Sequence, residues 1–181
     1  MDFPPLELQA PIERVASAAE LDAAAAPLGL PAGLPPSYRA FAGRYGYGLL
    51  GGRLLIFMPI PGYGCDVLPE RSRDLAALFA DWQRDEMFEY EPDGSPGLVA
   101  RLAPFGISED GHYLAWDPAE RSPAGEHPIY VIGSKCLAVT RAAATLAELV
   151  AGCVDSRVRR ILGPGYAPLP PTFRPAKFRG E

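Results

Sequence analysis

Residues 34–58 read Leu34-Pro35-Pro36-Ser37-Tyr38-Arg39-Ala40-Phe41-Ala42-Gly43-Arg44-Tyr45-Gly46-Tyr47-Gly48-Leu49-Leu50-Gly51-Gly52-Arg53-Leu54-Leu55-Ile56-Phe57-Met58. The stretch predicts a proline-started helix, a glycine-rich reversal and a buried strand. Pro36 has a fixed φ and no donor, which suits a first helical position. Tyr38, Phe41, Ala42 and Tyr45 fall at i, i+3, i+4 and i+7, one apolar stripe. Gly46 can end the helix in a left-handed conformation. The run to Met58 is then almost wholly apolar, bounded by Gly51-Gly52 and Pro59.

Upstream, residues 1–16 are expected to be an arm with little regular structure. Ser17-Ala18-Ala19-Glu20 matches a capping box, so a helix is expected to start there and stop near Ala26, before Pro27. Downstream, Pro69 is expected to open the longest helix, to about Met87, with Leu75, Leu78, Phe79 and Trp82 on its apolar face. From Leu98 the pattern turns to period two. Strands are expected over Leu98–Ala103, His112–Asp117, Ile129–Ile132 and Cys136–Thr140. Pro104-Phe105-Gly106 reads as a bend, and Asp110-Gly111 as a turn. Thr145-Leu146-Ala147-Glu148 is a second capping box, with Leu146, Leu149, Val150 and Cys153 as its stripe. Val158, Ile161 and Leu162 suggest a short last helix. Residues 163–181 form a proline-rich tail, either loose or held extended on the body by Tyr166, Leu169, Phe173 and Phe178.

Helices come early, strands cluster centrally and a helix closes the pattern. That order predicts one α+β domain over residues 17–162, with a mainly antiparallel sheet packed with helices. The 181 residues and 48% hydrophobic content suit a single core. A net charge of −5 is unlike a general nucleic-acid binder and compatible with a basic partner. Cys65, Cys136 and Cys153 are odd in number and widely spaced, which fits reduced thiols in the cytoplasm rather than a disulfide framework. No basic region followed by an apolar run marks a signal peptide, and no run approaches the ~20 apolar residues of a membrane span.

Three segments resemble the SUKH superfamily, which includes bacterial toxin-immunity proteins and a fungal cell-wall synthesis regulator. The first is Leu34-Pro35 with Tyr38, Phe41, Tyr45 and Gly46. The second is Leu102-Ala103-Pro104-Phe105-Gly106 with Asp110-Gly111 and Leu114-Ala115-Trp116-Asp117. The third is the closing strand pair with the helix at Thr145–Val154. Where the family often has Asn-Gly after its second helix, this chain has Tyr45-Gly46-Tyr47-Gly48. The resemblance implies a sheet covered by helices on one side and a non-enzymatic protein-binding module. An immunity protein that neutralises a polymorphic toxin is the first expectation, and a cellular scaffold or regulator the alternative.

The remaining motifs were weighed one by one. Gly46-Tyr47-Gly48-Leu49-Leu50-Gly51 matches a dinucleotide-binding string, but a helix precedes it and a strand follows, the reverse of a phosphate cradle. No cofactor is therefore expected. His112 beside Asp110 and Asp117, or Cys65 in its glycine-rich loop, would be the residues of a small enzyme. With two histidines and no zinc spacing, neither builds a supported set. Arg157, Arg159 and Arg160 read as a solvated helix face.

The candidate binding segment is Asp81 to Asp93. It carries Asp81, Asp85, Glu86, Glu89, Glu91 and Asp93 against one base, Arg84. Trp82, Met87, Phe88 and Tyr90 are interleaved. Acids at a rim and aromatics for area suit a basic protein partner, such as a toxin domain.

Overall fold

The computed structural model describes residues 2–62 and 66–177. In chain order the elements are β1 (Glu7–Leu8), α1 (Ala18–Ala25), α2 (Pro36–Arg44), β2 (Gly48–Leu50), β3 (Leu54–Ile56), α3 (Glu70–Arg84), α4 (Pro96–Val99), β4 (Ala103–Ser108), β5 (Tyr113–Trp116), β6 (Ile129–Ile132), β7 (Val139–Ala143), α5 (Leu146–Cys153), α6 (Val158–Ile161) and β8 (Thr172–Pro175). The fold is α+β. One eight-stranded sheet has the order β1-β8-β2-β3-β4-β5-β6-β7. Every neighbouring pair is antiparallel except β1–β8.

Local chemistry starts the helices as expected. Ser17 caps α1 and Glu20 reaches back to its amide, a complete capping box. The 3₁₀ turn Ala26–Leu28 then carries Pro27. Pro36 opens α2, and Gly46 follows with φ 64°. An added Cβ at Gly46 would stand 2.2 Å from the Arg14 carbonyl oxygen, so a side chain is excluded by space as well as by φ. Thr145 caps α5 by accepting from the Glu148 amide at 3.0 Å, while the Glu148 carboxylate bonds the Ala144 amide.

Four elements differ from the expectation. The strand expected over Cys136–Thr140 starts only at Val139, because Ser134–Cys136 make a 3₁₀ turn with Lys135 and Cys136 at positive φ. Residues 98–102 are not a strand: Ser95 accepts from the Leu98 amide and Pro96 stands at the first helical position, so α4 forms there. Pro104-Phe105-Gly106 is not a bend but lies inside β4, with a bulge between Pro104 and Gly106. Helix α3 stops at Arg84, because Glu86 turns left-handed at φ 56°.

The arm differs from the expectation, and the tail takes the extended of its two expected forms, with Leu169 and Phe173 buried. Both enter the sheet: β8 inserts between β1 and β2. Phe173 is fully buried, its ring 5.8 Å from Phe41 and 5.2 Å from Tyr45, and Phe3 packs on the same two rings. Phe178 lies outside the described residues.

Helices cover both faces of the sheet, not one. Leu114, Trp116, Ile129 and Val131 join the main core beneath α1, α2 and α5. The alternate residues Ala115, Tyr130 and Ile132 join a second cluster with Phe79 of α3 and Leu98 and Val99 of α4. Trp116 is central to the first: Phe105 stacks on it at 4.0 Å and Tyr38 meets it edge-on at 5.1 Å. Tyr38, Phe41, Leu55, Phe57, Leu78, Phe79, Leu114, Trp116, Val131, Leu146 and Leu149 are the apolar residues expected in the core; Leu55 and Leu78 are half-buried, and the others are buried. Among the described residues no helix is long and apolar enough to cross a membrane.

Candidate functional site

The acidic segment begins on α3 and continues as a strap along the outer edge of β7. The Glu89 amide donates to the Cys136 carbonyl at 2.9 Å. Val139 donates to the Glu91 carbonyl at 3.0 Å, and Asp93 donates to the Val139 carbonyl at 3.0 Å. An open sheet edge is thus closed by the strap.

This path separates the segment into an outer set and an inner set. All six carboxylates are on the surface. Asp81 pairs with Arg84, and Asp93 accepts from the Arg141 amide at 2.9 Å. Phe88 is only 8% exposed and belongs to the second core cluster, against Phe79. Trp82 and Tyr90 are half-buried on that cluster, and Tyr90 stacks on Phe88 at 5.7 Å. Gln83 donates to the Tyr90 hydroxyl at 3.2 Å. The aromatic members therefore fasten the strap, and the acids face outward.

Two large apolar residues stand exposed near the acids: Met87, which the sequence interleaves with them, and Leu137, which the sequence places in the expected strand Cys136–Thr140. Met87 is 50% exposed and Leu137 is 55% exposed. Leu137 follows the turn Ser134–Cys136, where Lys135 and Cys136 both have positive φ, at 59° and 60°. Among the described residues, Glu86, Lys135 and Cys136 are the non-glycine residues with positive φ. Exposure depends on which side of the chain the fold covers, and no local pattern reports it.

Among the described residues, those considered for catalysis are not assembled. Cys65 lies outside the described residues. His112 is buried, with Nε2 donating to the Leu162 carbonyl at 2.9 Å and Nδ1 facing the Ser108 hydroxyl at 3.1 Å. Asp110 turns outward, paired with Arg53 at 2.6 Å and accepting from the Tyr166 hydroxyl at 2.9 Å. The Tyr166 bond, with help from Arg53, holds its carboxyl below the usual range against some burial. Asp110 lines a cleft of about 580 Å³ with Arg53, Tyr166 and Pro168-Leu169-Pro170, and His112 does not.

Asp117 stands at the other end of β5, about 17 Å along the strand from His112. Its side chain is fully buried in a bidentate pair with Arg101, at 2.8 and 2.7 Å. Burial raises its pKa, but the Arg101 and Ala119 bonds outweigh this and leave it lowered. His127 is buried, with Nδ1 donating to the Glu120 carbonyl at 2.6 Å.

A further buried carboxylate, Glu126, joins two helix starts. It accepts from the Ser37 amide at 2.8 Å and from the Ser37 hydroxyl at 2.6 Å. That hydroxyl accepts in turn from the Leu146 amide at 2.9 Å. A negative group near two helix N-termini is favoured there.

The glycine string shows no room for a phosphate. Gly48 lies against the Arg174 carbonyl and the Phe173 ring, which an added Cβ would meet at 2.5 and 2.7 Å. Among the described residues no group of three or more His, Cys, Asp or Glu side chains is placed to hold a metal ion. Of the basic trio, Arg157 pairs with Asp155 and Arg160 donates to the Arg141 carbonyl. Comparison with protein-family models, curated proteins and solved structures gives no match to this chain.

Proposed function

We propose that this chain is a non-enzymatic protein-binding module that engages a basic partner through the surface of residues 81–93. One observation carries the reading: Asp85, Glu86, Glu89 and Glu91 are all exposed within seven residues of chain, and among the described residues their carboxylates have no partner. Charges left unpaired at a surface steer an oppositely charged protein and speed its approach. The SUKH resemblance supports the immunity form of this reading, in which the partner is a toxin. A toxin that acts on nucleic acid must present a positive site to phosphate. A carboxylate-rich surface can occupy that same field.

The test starts from a partner retained in a pull-down from the native cell. Replacing Asp85, Glu86 and Glu89 together by Lys should slow association about tenfold or more, without changing the melting temperature. Raising salt from low to physiological strength should slow the unaltered chain, because exposed charges are screened within ~8 Å. An association rate that is indifferent to both changes rejects the proposal.

A further inference from the structure

Met87 and Leu137 are two of three large apolar side chains left exposed among the described residues, the third being Leu8 on β1 at the far side of the sheet. Their chain neighbours Phe88 and Cys136 are buried in one core cluster. The Glu89 amide and the Cys136 carbonyl join the two segments at 2.9 Å. Met87 and Leu137 thus lie two residues and one residue from a shared backbone hydrogen bond. Both follow left-handed residues, Glu86 and Cys136, in conformations that non-glycine residues rarely adopt.

Resting on the protein-binding reading above, we infer that Met87 and Leu137 form the apolar centre of a docking surface for a basic protein segment that carries an aliphatic side chain between its cations. The charge around the pair selects the occupant. Four unpartnered carboxylates, Asp85, Glu86, Glu89 and Glu91, lie within four residues of Met87 along the chain, and Lys135 is the cation two positions before Leu137. A second copy of this chain would set these carboxylates against one another if it docked by a twofold, and like charges oppose that contact. Nucleic acid and anionic lipid are repelled in the same way. A cationic segment is attracted, and an aliphatic group within it would find the two exposed side chains. Such an apolar centre within a polar rim is where binding energy concentrates. Methionine adapts its shape to what it meets, which suits a contact surface.

The experiment uses two probes of equal charge at low salt: the peptides Lys-Leu-Lys-Lys-Leu-Lys and Lys-Ser-Lys-Lys-Ser-Lys. Binding is followed by NMR shifts at the Met87 methyl group and the 81–93 and 134–137 amides. The leucine peptide should bind about tenfold tighter than the serine peptide, the gain expected from covering one leucine. Leu137→Ser and Met87→Ser should each reduce that advantage severalfold and leave binding of the serine peptide unchanged. Both positions are exposed, so the fold should persist, and an unchanged melting temperature checks it. Equal binding of the two peptides, or an advantage that survives both substitutions, overturns the apolar centre while leaving the charge reading intact. If neither peptide moves the 81–93 amides, the basic-partner reading itself falls, and this inference with it.

Discussion

His112 has both ring nitrogens engaged inside the protein, and its charge state is tied to that arrangement. Nε2 gives its proton to the Leu162 carbonyl, so Nδ1 accepts from Ser108. Burial holds the ring's pKa below its ordinary value of 6.5, partly opposed by the Leu162 bond and the Asp110 charge. The unfolded chain therefore takes up the proton first as pH falls. The stability that neutral His112 gives is complete above about pH 6.5 and declines as pH drops toward the lower folded value. Melts at pH 7.5 and pH 5.5 should show this loss, at no more than about 1.4 kcal/mol per pH unit. His112→Gln should be less stable at pH 7.5 and should lose less between the two. An equal loss in both proteins would mean that another group controls the dependence. The sequence placed His112 correctly after the Asp110-Gly111 turn. It gave no sign that the Leu162 carbonyl, 50 residues on, would meet the ring.

Elements whose ends are set by neighbours in sequence were the legible ones. Ser17 with Glu20, Pro36, Gly46, Thr145 and the Ile129–Thr140 hairpin carry their instructions within a few residues. Helix α4 was misread because Leu98, Val99 and Leu102 are apolar at positions that fit a short helix or a buried strand. The Ser95 cap decides between them. Strand β1 was not legible, and β8 only as an extended tail anchored by Phe173, without its strand partners. They are two and four residues long, and their partners lie far off in the chain. The acids of the candidate site were legible as a charge pattern, whereas Met87 and Leu137 emerge only once Phe88 and Cys136 are seen to face inward. If β8 is integral to the sheet, Phe173→Ala should cost about 3–5 kcal/mol in urea unfolding, as for other buried aromatics. A cost below about 1 kcal/mol would show that the tail contributes little.

The whole molecule is a sheet sandwiched between two apolar clusters of unequal size. The clusters share strands: Leu114 and Ala115 are adjacent in β5 yet belong to opposite faces. Neither face can therefore melt while the other keeps its sheet. Phe79→Ala, in the smaller cluster, should lower one common unfolding transition by about 3–5 kcal/mol. Separate transitions by fluorescence and by far-UV circular dichroism would show that the faces unfold independently. The candidate docking surface lies over this smaller cluster, so its rigidity depends on the same packing.

The place of β8 between β1 and β2 has a consequence for synthesis. β8 leaves the ribosome about 120 residues after β2, which at ~5–20 residues per second is about 6–24 s later. Over that interval Phe41 and Tyr45 lack the Phe173 ring, and β2 shows an unpaired edge to solvent. β1, made before β2, has no neighbour to join until β8 arrives. A nascent or truncated chain thus differs from a finished one by an exposed strand edge beside uncovered aromatics, the kind of surface that chaperones and proteases recognise.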